Sequence, residues 1–407
     1  EIQPESAFDQ KVYYYPDLPK GYQLSQHHKP LARSGWVDIP GEDNRLKRLR
    51  IHHIHLEEDV AKLLHETEGR TPISLVDFNR AGTPLIEIVS EPDMRSPHDA
   101  MEYVKALRAQ LRYTGSAECS LEQGTLRVDA NISLRPAGSD VLNTKVEVKN
   151  MNSIRNVGDA IAYEIVRQTE SLAKGEPIRL HTRLWDPEKR VTLPMRAKFE
   201  GPCVPDPSVA RIVVTEAWLD AIRRKLPEMP ARKTERFMEA YGLTADEAAA
   251  MSAERDLSEF FEAVVRQGVP PRRVAGWISS QLASALKERN QGLDKTHLTA
   301  ERFAALLTAL EKEVINAQAA REVLARLLDS DASLEEILET GGFRQLSDAA
   351  GLEALVDRVL EDHPADVQAF RDGNAKVQGF LMGQAMKASR GKANPKKLKE
   401  LLMKRLG

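Results

Sequence analysis

The chain has 407 residues, enough for two or three domains that each bury a core. Its 29% of charged residues nearly cancel, to a formal net charge of -3, so no overall field holds it on nucleic acid or membrane. Any such contact needs a local patch. Two distant cysteines, Cys119 and Cys203, exclude a disulfide framework and a four-cysteine zinc site. They fit a reducing cytoplasm. There is no membrane-length apolar run and no signal-peptide pattern. The chain opens at Glu1 without methionine, and the expectation is that an N-terminal piece precedes it.

In chain order, the first informative stretch is LRIHHIHLEED at 49–59, with three histidines and three acids in eleven positions. His52, His53 and His55 have no zinc-finger or metzincin spacing, and a strand histidine commonly sits at the surface or behind a ligand. If the stretch is extended as far as residue 58, Glu58 shares a face with Ile54 and Leu56, and Glu57 points with His53 and His55. The strand PLIEIVS at 84–90 is apolar apart from Glu87. A carboxylate there needs a cation, a metal or several donors, and an ion-paired strand-end glutamate is the plainer alternative. Glu58 and Glu87, converging from separate strands, would suit a hard cation such as magnesium, which takes oxygen ligands and bridges to phosphates.

TLRVDANISLR at 125–135 alternates strictly, and after the turn PAGSD so does TKVEVKN at 144–150, which predicts a hairpin. Its polar face carries Arg127, Arg135, Lys145 and Lys149 with Asp129, Asn131 and Glu147. That is either a solvated sheet face or the charge arrangement that phosphoryl transfer requires. Neither a Walker A pattern nor a kinase-type glycine-rich loop occurs. From about 226 the period becomes helical. Asp256 with Glu259 reads as a capping box, and Asn394 before Pro395 reads as an N-cap. Gly379 and Gly383 form a GxxxG suited to close helix packing. Residues 387–407 hold eight Lys or Arg against one Glu, a phosphate-contacting signal. The absence of Tyr and Trp from 296 onward argues for backbone and shape recognition of folded RNA, not base stacking. The fold class expected is α+β: a β-rich domain at 1–225, a helical bundle at 226–295 and a helical tail domain at 296–407.

Several stretches together resemble the B subunits of bacterial aspartyl/glutamyl-tRNA amidotransferases. They are KVYYYPDLPKGYQLSQ at 11, HLEEDVAKL at 55, DFNRAGTPLIEIVSEPD at 77, LEQGTLRVDANISLRP at 121, KVEVKNMNSIRNV at 145 and the C-terminal FLMGQAMKASRGKANPKKLKELL. The resemblance runs from end to end. It implies a β-rich cradle with a kinase site, a helical domain and a tail that grips tRNA. It also implies a cytoplasmic ligase that forms a carbon–nitrogen bond with glutamine as amido donor. With ATP and Mg2+, such a protein phosphorylates the side-chain carboxylate of Glu-tRNA(Gln) or Asp-tRNA(Asn). Ammonia released by the A subunit, an amidase, then displaces the phosphate. A small C subunit is the third member of the complex.

By position, the resemblance makes Glu58 and Glu87 metal ligands, and Lys11 an ATP-pocket lysine with Lys149 and Arg127 beside it. Asp129, Asn131 and Glu147 join them around the cavity. Lys387, Arg390, Lys392, Lys396, Lys397 and Lys399 fall to tRNA. The chain departs from the family pattern twice. It starts beyond the usual Gly-Leu-Glu-Val-His strand, and MRAKFEGPCVPDPSVARIVV lacks the aromatics usual before Asp-Pro. A non-catalytic tRNA-binding scaffold is therefore the alternative reading. The archaeal relative dedicated to tRNA(Gln) commonly has an inserted domain for which this chain has no room.

Overall fold

A computed structural model describes the chain except for residues 44, 69–70, 196–200, 345–348, 373, 375–376, 390–392, 394 and 407. It divides into two compact units, Glu1–Met229 and Pro230–Gly407. The first carries the sheets and the second is helical, the α+β class that the change of period predicts.

The first unit begins with β1 (Glu5–Val12), β2 (Tyr22–Lys29), β3 (Ala32–Pro40) and β4 (Leu46–Glu58). Next come β5 (Lys62–Glu68), β6 (Thr71–Asp77), β7 (Pro84–Ser90) and helix α1 (Pro97–Thr114). Then follow β8 (Ala130–Ile132), β9 (Val146–Lys149), α2 (Ile154–Ala173), β10 (His181–Asp186), β11 (Val191–Pro194), β12 (Cys203–Pro205) and β13 (Ile212–Val213). Strand β1 is flanked by β2, β12 and β13. Strands β3, β4 and β7 form an antiparallel sheet in that order, β5 and β6 pair as a hairpin, and β11-β10-β9-β8 form a fourth sheet. In that last sheet β9 and β10 run parallel, with helix α2 as the crossover between them.

Both long helices begin where a serine oxygen caps the first turn. Ser96 accepts from Asp99 N at 3.2 Å, with Pro97 next, and Ser153 accepts from Asn156 N at 3.1 Å. Helix α1 ends at Gly115 with φ +71°, the left-handed cap glycine accepts readily. The apolar faces of β3, β4 and α1 meet in Val37, Ile39, Leu49, Ile51 and Tyr103. Those of β8, β9 and α2 meet around Val146, Val148, Val157, Ala160 and Trp185. Inside the second group, Glu164 of α2 is wholly buried. It binds Arg167 at 2.8 Å and Arg183 at 3.2 Å, so its desolvation is offset by two guanidiniums.

The predicted hairpin forms, with the expected register of apolar residues, but β8 is only three residues long. The reason is local: Thr125 N and Leu126 N both donate to Ser120 O, at 2.9 and 3.0 Å. Those amides are therefore satisfied by a tight turn and not by β9. Strand β7 also differs from expectation. It is an edge strand, and Ile86 is 47% exposed.

In the second unit one buried core runs from Phe237 to Leu338, and another from Leu352 to Leu406. The expected capping box at Asp256 is absent: the helix Arg255–Arg266 starts from Glu254 with no side-chain cap, and Glu259 instead takes Arg255 Nε at 2.8 Å. Asn394 lies outside the described residues. Gly379 and Gly383 are exposed, and a Cβ added at either would meet no described atom within 4 Å, so neither is the close-packing point expected of the GxxxG. The helix Pro395–Leu406 buries Leu398, Leu402 and Leu406 and exposes Lys396, Lys397 and Lys399. Lys387 is exposed too, whereas Arg390 and Lys392 lie outside the described residues. No helix among the described residues is long and apolar enough to cross a membrane.

Candidate active site

The site starts from the ladder between β4 and β7. Strict alternation along β4 would be broken by one extra residue, and the register shows one. Ile51 faces Ser90, yet His53 faces Val89, so two residues of β4 oppose a single step of β7. Beyond this bulge His55 pairs directly with Glu87, and directly paired residues share a face of the sheet. Glu57, two residues on, lies on that same face.

The result is a cluster of His55, Glu57 and Glu87 whose ligand atoms all lie within 4.8 Å of one another. His55 Nε2 stands 3.5 Å from Glu57 and 3.6 Å from Glu87. The Glu87 side chain is half exposed, and the partial burial of its carboxyl together with the charge of Glu57 pushes it above its ordinary value, against the pull of His55 and Lys11. His53 stacks on His55 with ring centroids 5.1 Å apart. Its own pKa is pulled down to about 4 by burial and by the neighbouring imidazoles, so it is neutral at pH 7.

Glu58, expected beside Glu87, is elsewhere. It points to the opposite face, where its Oε1 accepts from Leu24 N at 2.8 Å and pairs with Lys20. The same residue's backbone carbonyl takes Gln23 Nε2 at 2.8 Å, so Glu58 ties β2 to β4. The alternation rule placed Glu58 with Ile54 and Leu56 correctly. It went wrong on Glu87, which faces His55.

The other expected residues gather at the rim of this cluster. Lys11 of β1 and Asp129 both act on the Glu87 carboxyl. Lys149 pairs with Asp129 and stands 3.2 Å from Glu147. Burial works against its charge, but Asp129 and Glu147 outweigh that and hold Lys149 above the ordinary lysine value. Glu147 is lowered in turn, since Lys149 and the Thr182 hydroxyl, at 2.9 Å, override its burial. Asn131 pairs with Glu147 across β8 and β9 and is exposed. Arg127 pairs with Asp59. Arg135 sits 3.7 Å from Asp140. Tyr13 lies among the acids too: burial, Asp17 and Glu57 push its phenol upward.

The donor set fits a divalent cation. Two carboxylates and one imidazole converge on one sheet face, and partial burial, with the charge of Glu57 beside it, already favours the protonated form of Glu87. Oxygen ligands favour Mg2+, while the imidazole also admits Mn2+ or a softer ion. His55 Nδ1 is buried and has no hydrogen-bond partner among the described residues. Sequence reasoning passed over Glu57, Asp59, Arg80 and Thr182. The bulge that aims Glu57 leaves no mark in the hydrophobic pattern, and Thr182 lies outside every quoted motif.

Comparison with known proteins agrees with this architecture. Residues 1–220 match the GatB/GatE catalytic domain, and residues 259–406 match the GatB domain. The chain is 62% identical over 406 residues to the aspartyl/glutamyl-tRNA(Asn/Gln) amidotransferase B subunit 1 of Syntrophus aciditrophicus. That alignment covers 100% of this chain and 85% of that protein. It is 43% identical to the B subunit of a Synechococcus strain, covering 100% of this chain and 84% of that protein. Against that of Carboxydothermus hydrogenoformans it is 41% identical, covering 100% and 85%. The chain belongs to the family of aspartyl/glutamyl-tRNA(Asn/Gln) amidotransferase B subunits.

Proposed function

We propose that this chain activates the side-chain carboxylate of glutamate or aspartate esterified to tRNA(Gln) or tRNA(Asn), using ATP. The γ-phosphoryl group passes to a carboxylate oxygen, ADP leaves, and ammonia then displaces phosphate from the acyl phosphate to give the amide. The ammonia comes from glutamine, hydrolysed by a partner amidase, and a small third protein joins the two in the assembly. The observation that carries this reading is the meeting of His55, Glu57 and Glu87 beside Lys11 and the Asp129–Lys149–Glu147 group.

His55, Glu57 and Glu87 would hold Mg2+, with Glu57 taking the part that the family resemblance gave to Glu58. The bound ion would draw charge from phosphate oxygens and so favour attack by an acceptor that is itself an anion. The chain's own side chains supply the rest. Lys149, clamped between two acids, is fixed in position and stays charged, so it meets phosphate without reorganising. Lys11 adds a second cation from β1. Neutral His53 stacks on His55 and fixes that ring's plane without adding positive charge. Exposed Lys387, Lys396, Lys397 and Lys399 serve the tRNA backbone, as do Arg390 and Lys392. In domain terms, 1–225 is the catalytic cradle; one buried core joins helices on both sides of the expected border at 295/296, so tRNA contact belongs to the helices of the second core, Leu352–Leu406.

The test is ADP release by the reconstituted complex with mischarged tRNA and glutamine. Release that depends on the mischarged tRNA supports the reading. Tight tRNA binding with no ADP formed would select a non-catalytic scaffold instead.

A further inference from the structure

Asp59 follows Glu57 by two residues, and its backbone carries the β4–β7 ladder one rung further. Its N–H donates to Thr83 O at 2.8 Å, and its carbonyl accepts from Gly82 N at 2.9 Å. That rung brings the Asp59 side chain out on the His55–Glu57 face, roughly 7 Å further along the chain. The carboxylate is nearly buried, with 10% of its side chain exposed, and two guanidiniums converge on it. Arg127 binds Oδ1, and Arg80 Nε stands 3.3 Å from Oδ2.

The two arginines are not equivalent. Arg80 Nη1 also donates to Gly124 O at 3.0 Å, so Arg80 joins the turn before β7 to the turn before β8. Arg127 makes no other ion pair or hydrogen bond among the described residues. Both remain open to solvent, at 44% and 52% of their side chains. One carboxylate shared by two guanidiniums leaves a local charge of +1 with unused N–H groups. Such a fixed fork of donors matches the paired oxygens of a phosphate. It follows the acidic cluster along the same strand face, so a phosphate held there would lie near that cluster.

We propose that Arg80 and Arg127, tethered by Asp59, form a phosphate-binding clamp at the rim of the carboxylate cluster. The phosphate comes either from the polyphosphate of the nucleotide or from the sugar-phosphate backbone at the acceptor end of the tRNA. The assignment of ATP and tRNA as the two phosphate carriers rests on the function proposed above.

The experiment measures equilibrium binding by the full chain of ATP in one arm and of deacylated tRNA in the other. Wild type is compared with Arg127→Lys and Arg80→Lys, and the melting temperature of each is recorded. Lysine keeps the charge and loses the fork, so Arg127→Lys weakens one arm about tenfold at unchanged melting temperature. The arm that moves names the source of the phosphate. The clamp is overturned if Arg127→Lys and Arg127→Ala leave both arms within about twofold of wild type. It is equally overturned if Arg80→Lys lowers only the melting temperature and Arg127→Lys changes nothing. Binding needs no turnover. A chain that binds through these arginines but releases no ADP would keep the clamp and lose the kinase reading, and the reverse outcome is equally readable.

Discussion

Replacing Glu57 by Gln, with Glu58→Gln as its neighbour control, tests the exchange of roles between the acid that the sequence favoured, Glu58, and the one that shares a face with Glu87. Glu57 contributes one negative charge to a donor group whose atoms lie within 4.8 Å of one another, with His55 and Glu87. For a divalent ion and one carboxylate at that distance, Coulomb's law gives about 1.7 kcal/mol even with the full dielectric of water. That corresponds to roughly a 20-fold loss of divalent affinity. Direct coordination and partial shelter both make the loss larger, so the figure is a lower bound. Glu58 lies on the other face and is tied to Leu24 N and Lys20, so Glu58→Gln leaves the ion's affinity within about threefold. The assay is Mn2+ or Mg2+ titration of the full chain by calorimetry, with each variant's fold checked by circular dichroism. Equal losses in the two variants, or none with Glu57→Gln, would refute the assignment and the register argument with it.

Three other outcomes follow from the same coordinates. Glu87→Gln abolishes ADP formation by the reconstituted complex while tRNA affinity stays within about twofold. Unchanged turnover with a lower melting temperature would make Glu87 merely structural. Charge reversal at Lys396 and Lys397 weakens tRNA binding and makes its logarithmic salt dependence shallower by roughly 1 to 2, measured by filter binding across salt concentrations. Asp93 hydrogen-bonds Arg50, and this holds its carboxyl down to about 2. Because the folded value is depressed, the stability this pair contributes is complete above the ordinary carboxylate value and disappears as pH falls through about 2. Arg50 is 64% exposed, so solvent screening keeps the contribution small. Urea unfolding of Asp93→Asn therefore shows a deficit near neutral pH that closes in acid.

Much of the architecture was legible in the residues. Val146 and Val148 alternate with charged neighbours and are buried, and Ile132 of the facing strand is buried with them. Leu398 and Leu402 recur at helical spacing and are buried behind exposed lysines. In each case one face must leave water, and a period of two or of three to four residues is the trace that leaves. The expected capping box failed because the helix starts at Arg255, which puts Asp256 inside its first turn and not at the cap, and Glu259 pairs with Arg255. Arg127 was expected to join Lys149 on one polar face. It lies outside the strand, which begins only at Ala130, and pairs with Asp59 instead.

The sequence by itself determined which residues could carry the chemistry: the acids of HLEED, the lone Glu in PLIEIVS, and the lysines and acids of the hairpin. Those side-chain types are fixed by covalent structure, and so is their local periodicity. Only the tertiary structure decided which acid faces which. A single extra residue at His52–His53 shifts the pairing of two distant strands and puts Glu57, not Glu58, on the face that Glu87 shares. Register is a property of two strands together, set by hydrogen bonds between segments some thirty residues apart, and no pattern within either strand records it.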